Sequence, residues 1–512
     1  MKSESFYFNK IEGYFSGSKK SDVYQTISDR TFRDLDLDEI FMFLDRTISK
    51  VGQQYYYHIF RTIPVGNSRR DKTEQLIKVL EENSDTKEKV LVQLSRLSKE
   101  EAYYITELFE EKYIQKPAWF WVVQFLSVIS ISLVLLSFFY PQLILILIGI
   151  LSVNYLVHYW NKQNLHKYAA SITQLLVLNQ VSKELLKLNI IIDNPNLFSC
   201  TKAIDSVGRR MSMFKLGSTF PSDLDSLFEV VRALFLVEPL ILFNVLGKLN
   251  TRKDQIHQLY AYIGEVDVAI SISSLRKNIP YYTQARHSKL EKFMYAEDMY
   301  HPLLTNAVAN SIELSGKSAL LTGSNMSGKT TFIRTVGINV ILSQTINTCF
   351  ARSFVSSKLK VHSAIRISDD LISEKSYYFE EVVTIKKMLE ESSDDKPSLF
   401  LLDEIFKGTN TIERIAAGKS VLSYLNRNNN IVLVSTHDIE LADLLKGIYN
   451  LHHFTELVEN EKIVFDYKLK TGNLQSTNAI RILEINNYPA EVTDEAKKLS
   501  IQIRKNNVTN KA

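Results

Sequence analysis

The chain has 512 residues, a formal net charge of +4 and two cysteines, Cys200 and Cys349. That length exceeds one ordinary core and implies about three structural units. The near balance of charge excludes a global basic field for nucleic acid, and the two distant cysteines flank no metal-ligand pattern and supply no disulfide framework.

Residues 1–28 are polar and lack an apolar core segment, so no cleavable secretory leader is expected. Residues 36–63 have helical apolar spacing (Leu37, Ile40, Phe41, Leu44, Ile48) that begins among aspartates and stops at Pro64. Residues 71–113 continue as charged amphipathic helix. Between Lys116 and Lys162 there is then no Asp, Glu, Lys or Arg. Pro141-Gln142 divides this block into two apolar runs, each near the roughly 20 residues that span a hydrocarbon core as a helix. Trp119 and Trp121 stand at the entry and Tyr155, Tyr159 and Trp160 at the exit, where headgroups would lie. Lys112 and Lys116 precede the block and Lys162 and Lys167 follow it, which predicts a two-pass hairpin in the cytoplasmic membrane with both termini inside. The alternative, a buried hairpin in a soluble core, fits poorly with so long an uncharged stretch.

Residues 166–188 and 223–279 read as long amphipathic helices. The apolar stretch 233–246 contains Glu238-Pro239 and is too short for a span, so it is expected to pack between helices. From about Lys292 short apolar strands alternate with helices, as in a parallel α/β sheet.

Ser318–Thr322 reads as a buried strand leading into Gly323-Ser324-Asn325-Met326-Ser327-Gly328-Lys329-Thr330, with a helix from Thr331 onward. This is the phosphate-loop pattern in its required context: glycines admit the phosphates to backbone N–H groups, and the helix N-terminus adds its dipole. Lys329 would reach the β and γ phosphates of ATP, and the Thr330 hydroxyl would ligate Mg²⁺. A second strand, Ser398–Leu402, ends in Asp403-Glu404. Asp403 suits Mg²⁺ held through water, and Glu404 suits a general base on the attacking water. A third, Ile431–Ser435, ends in Thr436-His437, where a polar side chain faces the ligand crevice of a parallel sheet; His437 reads as a γ-phosphate sensor.

These residues together resemble the MutS family of DNA mismatch-repair ATPases. The loop Gly323–Thr331 with its Asn325-Met326 pair, Asp403-Glu404-Ile405 followed by Gly408-Thr409-Asn410-Thr411, and Ser435-Thr436-His437-Asp438 are each similar to that family's motifs. Arg366–Leu371 and Ser376–Glu381 resemble the segment that completes the partner subunit's nucleotide site. The resemblance therefore implies a homodimer in which Ser376 contacts the γ-phosphate in trans. His301-Pro302 resembles the family's His-Pro near the nucleotide base. Tyr467-Lys468-Leu469, Asn478-Ala479-Ile480 and Tyr488–Val492 are similar to its C-terminal dimerisation element, and Leu44–Thr47 with Gly52 and Arg61-Thr62 to the start of its lever helices.

On this reading the chain is multidomain. A helical core or lever domain (1–116 and 162–290) is interrupted by a transmembrane helical hairpin (117–161). An α/β P-loop ATPase domain of ABC/MutS-like type with a C-terminal helical element (291–512) follows. Core-like helices begin by about Asp36 and no Phe-x-Glu wedge precedes Pro64, so direct mismatch reading is not expected. The resemblance implies ATP and Mg²⁺ as cofactors and DNA as an inherited partner. An ATP-driven membrane scaffold that touches no nucleic acid is the alternative.

Overall fold

The computed structural model describes residues 5–18, 23–109, 118–188, 190, 196–215, 230–324, 326–366, 377–459, 462–474 and 479–509. They group into two compact units. The first comprises 1–21, 44–61 and 66–277; the second comprises 22–43, 62–65 and 278–512. The division at 277/278 lies earlier than the 290/291 boundary expected from the sequence, and two N-terminal pieces join the second unit.

The first unit is helical. Helix α1 (Lys50–Arg61) packs along α6 (Lys253–Lys277), and glycines set how closely the two approach. A Cβ at Gly52 would stand 2.1 Å from Asp267 Oδ2, and one at Gly264 would stand 2.3 Å from the Tyr55 ring. The helix expected over 36–63 is two helices, Leu37–Leu44 and α1. The interruption has a physical cause in side chains that bind the backbone at residues 45–49. Asp267, fully buried, accepts from the N–H of Ile48 (2.9 Å), the N–H of Ser49 (2.7 Å) and Ser49 Oγ (2.6 Å). Asp45 accepts from the N–H and Oγ of Thr47 and from Gln53 Nε2 at 2.6–2.9 Å. These bonds pair the N–H groups just ahead of α1, and Ser49 Oγ in turn accepts the Gly52 N–H at 2.8 Å, one of the donors that the helix itself leaves unpaired.

The uncharged block forms α2 (Phe120–Ser137) and the first part of α3 (Leu143–Lys187). Two 18-residue windows, Phe120–Ser137 and Leu143–Trp160, are long and apolar enough to cross a membrane, and only 22% and 11% of them is buried. The Trp119 and Trp160 rings meet edge to face at 5.1 Å, tying the two ends of the hairpin together. The sequence suggested separate helices on either side of residues 161–165. No proline or glycine falls there, and α3 runs unbroken for 45 residues. Helix α4 (Leu197–Lys215) and α5 (Val237–Asn250) belong to the same unit, and the helix expected over 71–113 is divided into Ser68–Glu82, Ser84–Ser95 and a 3₁₀ helix, Glu100–Leu108. The stretch 233–246 does pack against helices, but its neighbours include α2 and α3 of the hairpin.

The second unit is built on a six-stranded sheet: β1 (Ser318–Thr322), β2 (Lys360–Ala364), β3 (Ser398–Asp403), β4 (Ile431–Ser435), β5 (Tyr449–His453) and β6 (Lys470–Thr471), in spatial order β6-β5-β1-β4-β3-β2. All pairs are parallel except β5 with β6. Strands β1 and β4 are buried throughout, as continuous apolar runs covered on both faces should be. Helices α7 (Lys329–Thr345), α8 (Tyr377–Glu391), α9 (Thr411–Leu425) and α10 (Ile439–Leu445) pack around the sheet. A second sheet pairs Phe293–Met299 with Asn310–Ser315 and Ser353–Ser356.

The N-terminal piece 22–43 is part of this unit's wall. Asp34 accepts from Ser363 Oγ (2.7 Å) and from the N–H groups of Ile365 and Arg366 (3.0 and 3.1 Å). Asp36 pairs with Arg334 of α7 at 3.0 Å and with Arg366 at 2.5 Å. At Gly337 of α7 a Cβ would stand 2.4 Å from Leu401 Cδ1 and 3.1 Å from Leu35 Cδ1, so a larger residue there would have to displace these side chains.

Candidate functional site

The parallel register sets Asp403 opposite Ser435, and Thr322 opposite His453, so the carboxyl ends of β1, β3, β4 and β5 open on one edge of the sheet. That edge is where ligands bind in open α/β sheets. The turn between β1 and α7 is shaped by two glycines with left-handed backbone. Gly323 has φ +143° and a Cβ there would stand 2.5 Å from the Phe454 carbonyl; Gly328, with φ +106°, starts the helix. Ser327 is buried and its Oγ donates to the Ser324 carbonyl at 2.8 Å, while Met326 projects outward. Asn325 lies outside the described residues.

Lys329 is 4% exposed and its Nζ donates to the carbonyls of Gly323 (2.8 Å) and Ser324 (2.7 Å). Burial lowers its pKa, against the opposing pull of Glu404 and Asp403. Thr330 Oγ1 donates to Asp403 Oδ2 at 2.6 Å, and Ser435 Oγ bonds the other oxygen of that carboxylate. The hydroxyl and carboxylate expected to share a Mg²⁺ therefore touch, and together form a hard oxygen pair of the kind that ion prefers.

Glu404 has a left-handed backbone, φ +54°, and its N–H donates to the Ser435 carbonyl at 2.9 Å. Its carboxylate lies 2.6 Å from both Lys407 Nζ and His437 Nε2. Burial pushes its pKa up, but hydrogen bonds and charge from His437 and Lys407 outweigh it and hold the group at about 2. In this arrangement Glu404 is an ionised but occupied base. His437 is thus joined to Glu404, a partner that the sequence did not indicate. Asp438 forms a two-point ion pair with Arg414 of α9 at 2.8–2.9 Å, which anchors the loop carrying His437.

A cavity of about 490 Å³ lies over the turn, lined by His301, Ser324, Met326, Gly328, Lys329, Thr330, Thr331 and Phe332 among others. Its size is within the roughly 300–1,000 Å³ usual for small-molecule sites. His301 forms part of the wall, with its pKa lowered to about 4 by burial and by Arg334, against the pull of Asp36; at neutral pH it is an uncharged ring. Ser376 lies outside the described residues, as do 367–375. At the end of that segment Glu381 is buried and accepts the Phe406 N–H, fixing the loop after Glu404. Asn410 caps α9 through the Glu413 N–H at 3.0 Å. Two contributors escaped the sequence reading. Glu456 accepts from Ser324 Oγ at 2.6 Å. Lys407 carried a signal in its i+3 spacing from Glu404 on a tight turn. Tyr467, expected with the C-terminal dimerisation element, lines the cavity.

A helical unit joined to a parallel α/β unit, with a glycine turn, buried lysine and strand-end carboxylates at one edge of the sheet, defines the class as a multidomain helical and α/β protein. Residues 319–504 match the family model for MutS domain V. The DNA mismatch repair proteins MutS of Listeria innocua and Orientia tsutsugamushi are 31% and 32% identical over 232 and 229 residues, each 44% of this chain and 26% and 25% of theirs. That of Aquifex pyrophilus is 29% identical over 257 residues, 48% of this chain and 30% of its own. The likeness to the MutS family is carried by this region. Each match spans about a quarter to a third of the relative's length.

Proposed function

We propose that this chain is a membrane-anchored MutS-type ATPase that works as a homodimer, binding and hydrolysing ATP to open and close its lever-like helices on DNA without reading a mismatch directly. The observation that carries the reading is the convergence of Lys329, Thr330, Asp403, Glu404 and His437 beside one nucleotide-sized cavity. Lys329, Ser324, Thr331 and the loop N–H groups bind the phosphate chain, and His301 lies by the base. Thr330 and Asp403 hold Mg²⁺, which supplies charge neutralisation at the phosphate oxygens when bound. Glu404 takes a proton from the attacking water as its oxygen bonds to the γ-phosphorus and the bond to ADP breaks. His437 competes for Glu404 in the resting arrangement, so a γ-phosphate that draws His437 away raises the basicity of Glu404 and couples occupancy to chemistry. Ser376 of a second copy completes the site. The hairpin anchors the chain in the cytoplasmic membrane, with the ATPase domain and both termini on the cytoplasmic side.

The near-neutral charge favours one second reading, an ATP-driven membrane scaffold that does not contact nucleic acid. Titrating purified, ATP-hydrolysing protein with duplex DNA across a salt series separates the two. Binding that weakens steeply with salt is expected for the DNA reading. No binding at low salt with turnover intact would leave the scaffold.

A further inference from the structure

The face of the hairpin that is not exposed is covered by the segment 230–250, and the contact is polar at its deepest point. Helix α5 does not continue the preceding residues: Leu236 has a left-handed backbone, φ +52°, and α5 starts after it. Such a break frees main-chain carbonyls. Two of them are taken by the hairpin: Ser127 Oγ of α2 donates to the Phe235 carbonyl at 2.8 Å, and Asn154 Nδ2 of α3 donates to the Leu234 carbonyl at 2.6 Å. Asn154 also donates to Ser130 Oγ at 2.9 Å, joining the two hairpin helices at the same level. Toward the hairpin's ends α5 is apolar against it, with the Phe243 and Phe120 rings 5.1 Å apart.

The depth of this junction follows from the opposite faces of the same helical turns. Around Ser127 and Asn154 the hairpin exposes Phe125, Val128, Tyr155 and Leu156, each more than half accessible. A segment sharing that level shares its surroundings. The exposed residues of 230–250 agree, being Val230 and Val231 before the break and Asn244, Gly247 and Asn250 toward the far end of α5. Irregular backbone within a bilayer is tolerated only where protein groups satisfy it, and that is what Ser127 and Asn154 do. Beside the break Glu238 lies 3.6 Å from Arg232 and 3.6 Å from the buried His158 of α3, so the ionisable groups there are placed against each other.

We infer that residues 230–250 are a third membrane element, a re-entrant half-span whose tip at Val230–Leu236 is in contact with lipid acyl chains and is capped by the hairpin's Ser127 and Asn154. The inference rests on the membrane reading of the hairpin. Its consequence is that the polypeptide leading into α6 leaves the bilayer through a docked element and not through a free connection.

The test uses the full chain in phospholipid vesicles, with Cys200 and Cys349 replaced by alanine and a spin label placed at Phe125, Val231 or Asn250. Collision with oxygen, which concentrates in lipid, is compared with collision with a water-soluble nickel chelate. The expected result is an oxygen-to-nickel ratio at Val231 that equals that at Phe125 and exceeds that at Asn250. Oxygen preference at Phe125 with nickel preference at Val231 would overturn the inference and leave the hairpin reading standing. Nickel preference at both would remove the hairpin reading itself. Asn154→Leu, with Ser127→Ala as the milder variant, is expected to shift the Val231 label toward nickel while Phe125 stays unchanged; no shift in either variant would refute the capping.

Discussion

Asp267 in the helical unit and Glu404 in the α/β unit are both carboxylates drawn out of bulk water, and they are held in opposite ways. Asp267 is fully buried and bonds two main-chain N–H groups and a hydroxyl, all from Ile48 and Ser49. Main-chain donors cannot turn away, so the result is a fixed joint between α1 and α6. Glu404 is held by the side chains of Lys407 and His437, both partly exposed. The same functional group is therefore fixed by main chain in one unit and held by side chains in the other. What decides is the covalent stiffness of its donors.

The largest effect that probes this contrast is expected from Lys329→Ala, since Lys329 is buried against the loop carbonyls. Loss of a charge-assisted contact of about 3 kcal/mol weakens nucleotide binding by on the order of 10²-fold, measured by equilibrium titration. Binding at normal affinity would remove the phosphate-loop assignment. Glu404→Gln is expected to keep ATP bound but slow single-turnover hydrolysis by on the order of 10² or more. Unchanged hydrolysis would move the base elsewhere. Asp267→Ala should do the reverse: it lowers the unfolding free energy by about 2 kcal/mol through lost caps and leaves nucleotide affinity unaltered. A loss of affinity without a loss of stability would erase the distinction drawn between the two carboxylates.

The last effect concerns acid. His301 is held at about 4 against its ordinary 6.5, so the folded state disfavours its protonated form; the stability this reflects is present above 6.5 and lost as pH falls toward 4. Glu404, held at about 2 against 4.5, contributes above 4.5 and loses its contribution as pH falls toward 2. Denaturation curves of His301→Gln should therefore flatten the upper window and leave the lower one. Coincident changes in both windows would mean that the two groups titrate as one.

The α/β unit was legible where apolar strands were punctuated by chemistry: Ser318–Thr322 before the glycine turn, Ser398–Asp403 at the acidic pair and Ile431–Ser435 before His437. Short-range pattern sufficed there because a buried parallel strand and its carboxyl end are adjacent in sequence. It failed where a distant residue decides. The break between Leu44 and Lys50 is made by Asp267, more than 200 positions away. The allegiance of 22–43 to the α/β unit rests on Asp34 and Asp36 meeting 334 and 363–366. Glu456 meets Ser324 only through the fold, 132 positions along the chain.

Helix α3 couples more than distance. At about 1.5 Å per residue its 45 residues form a rod of about 68 Å, and at 3.6 residues per turn each residue added within it rotates one end against the other by about 100°. The azimuth of the apolar half is thus geared to that of the charged half. A single inserted alanine between Trp160 and Tyr168 would turn the hairpin's Asn154 face away from Leu234 while lengthening the rod by only about 1.5 Å. Seven inserted residues would restore the facing to within about 20°.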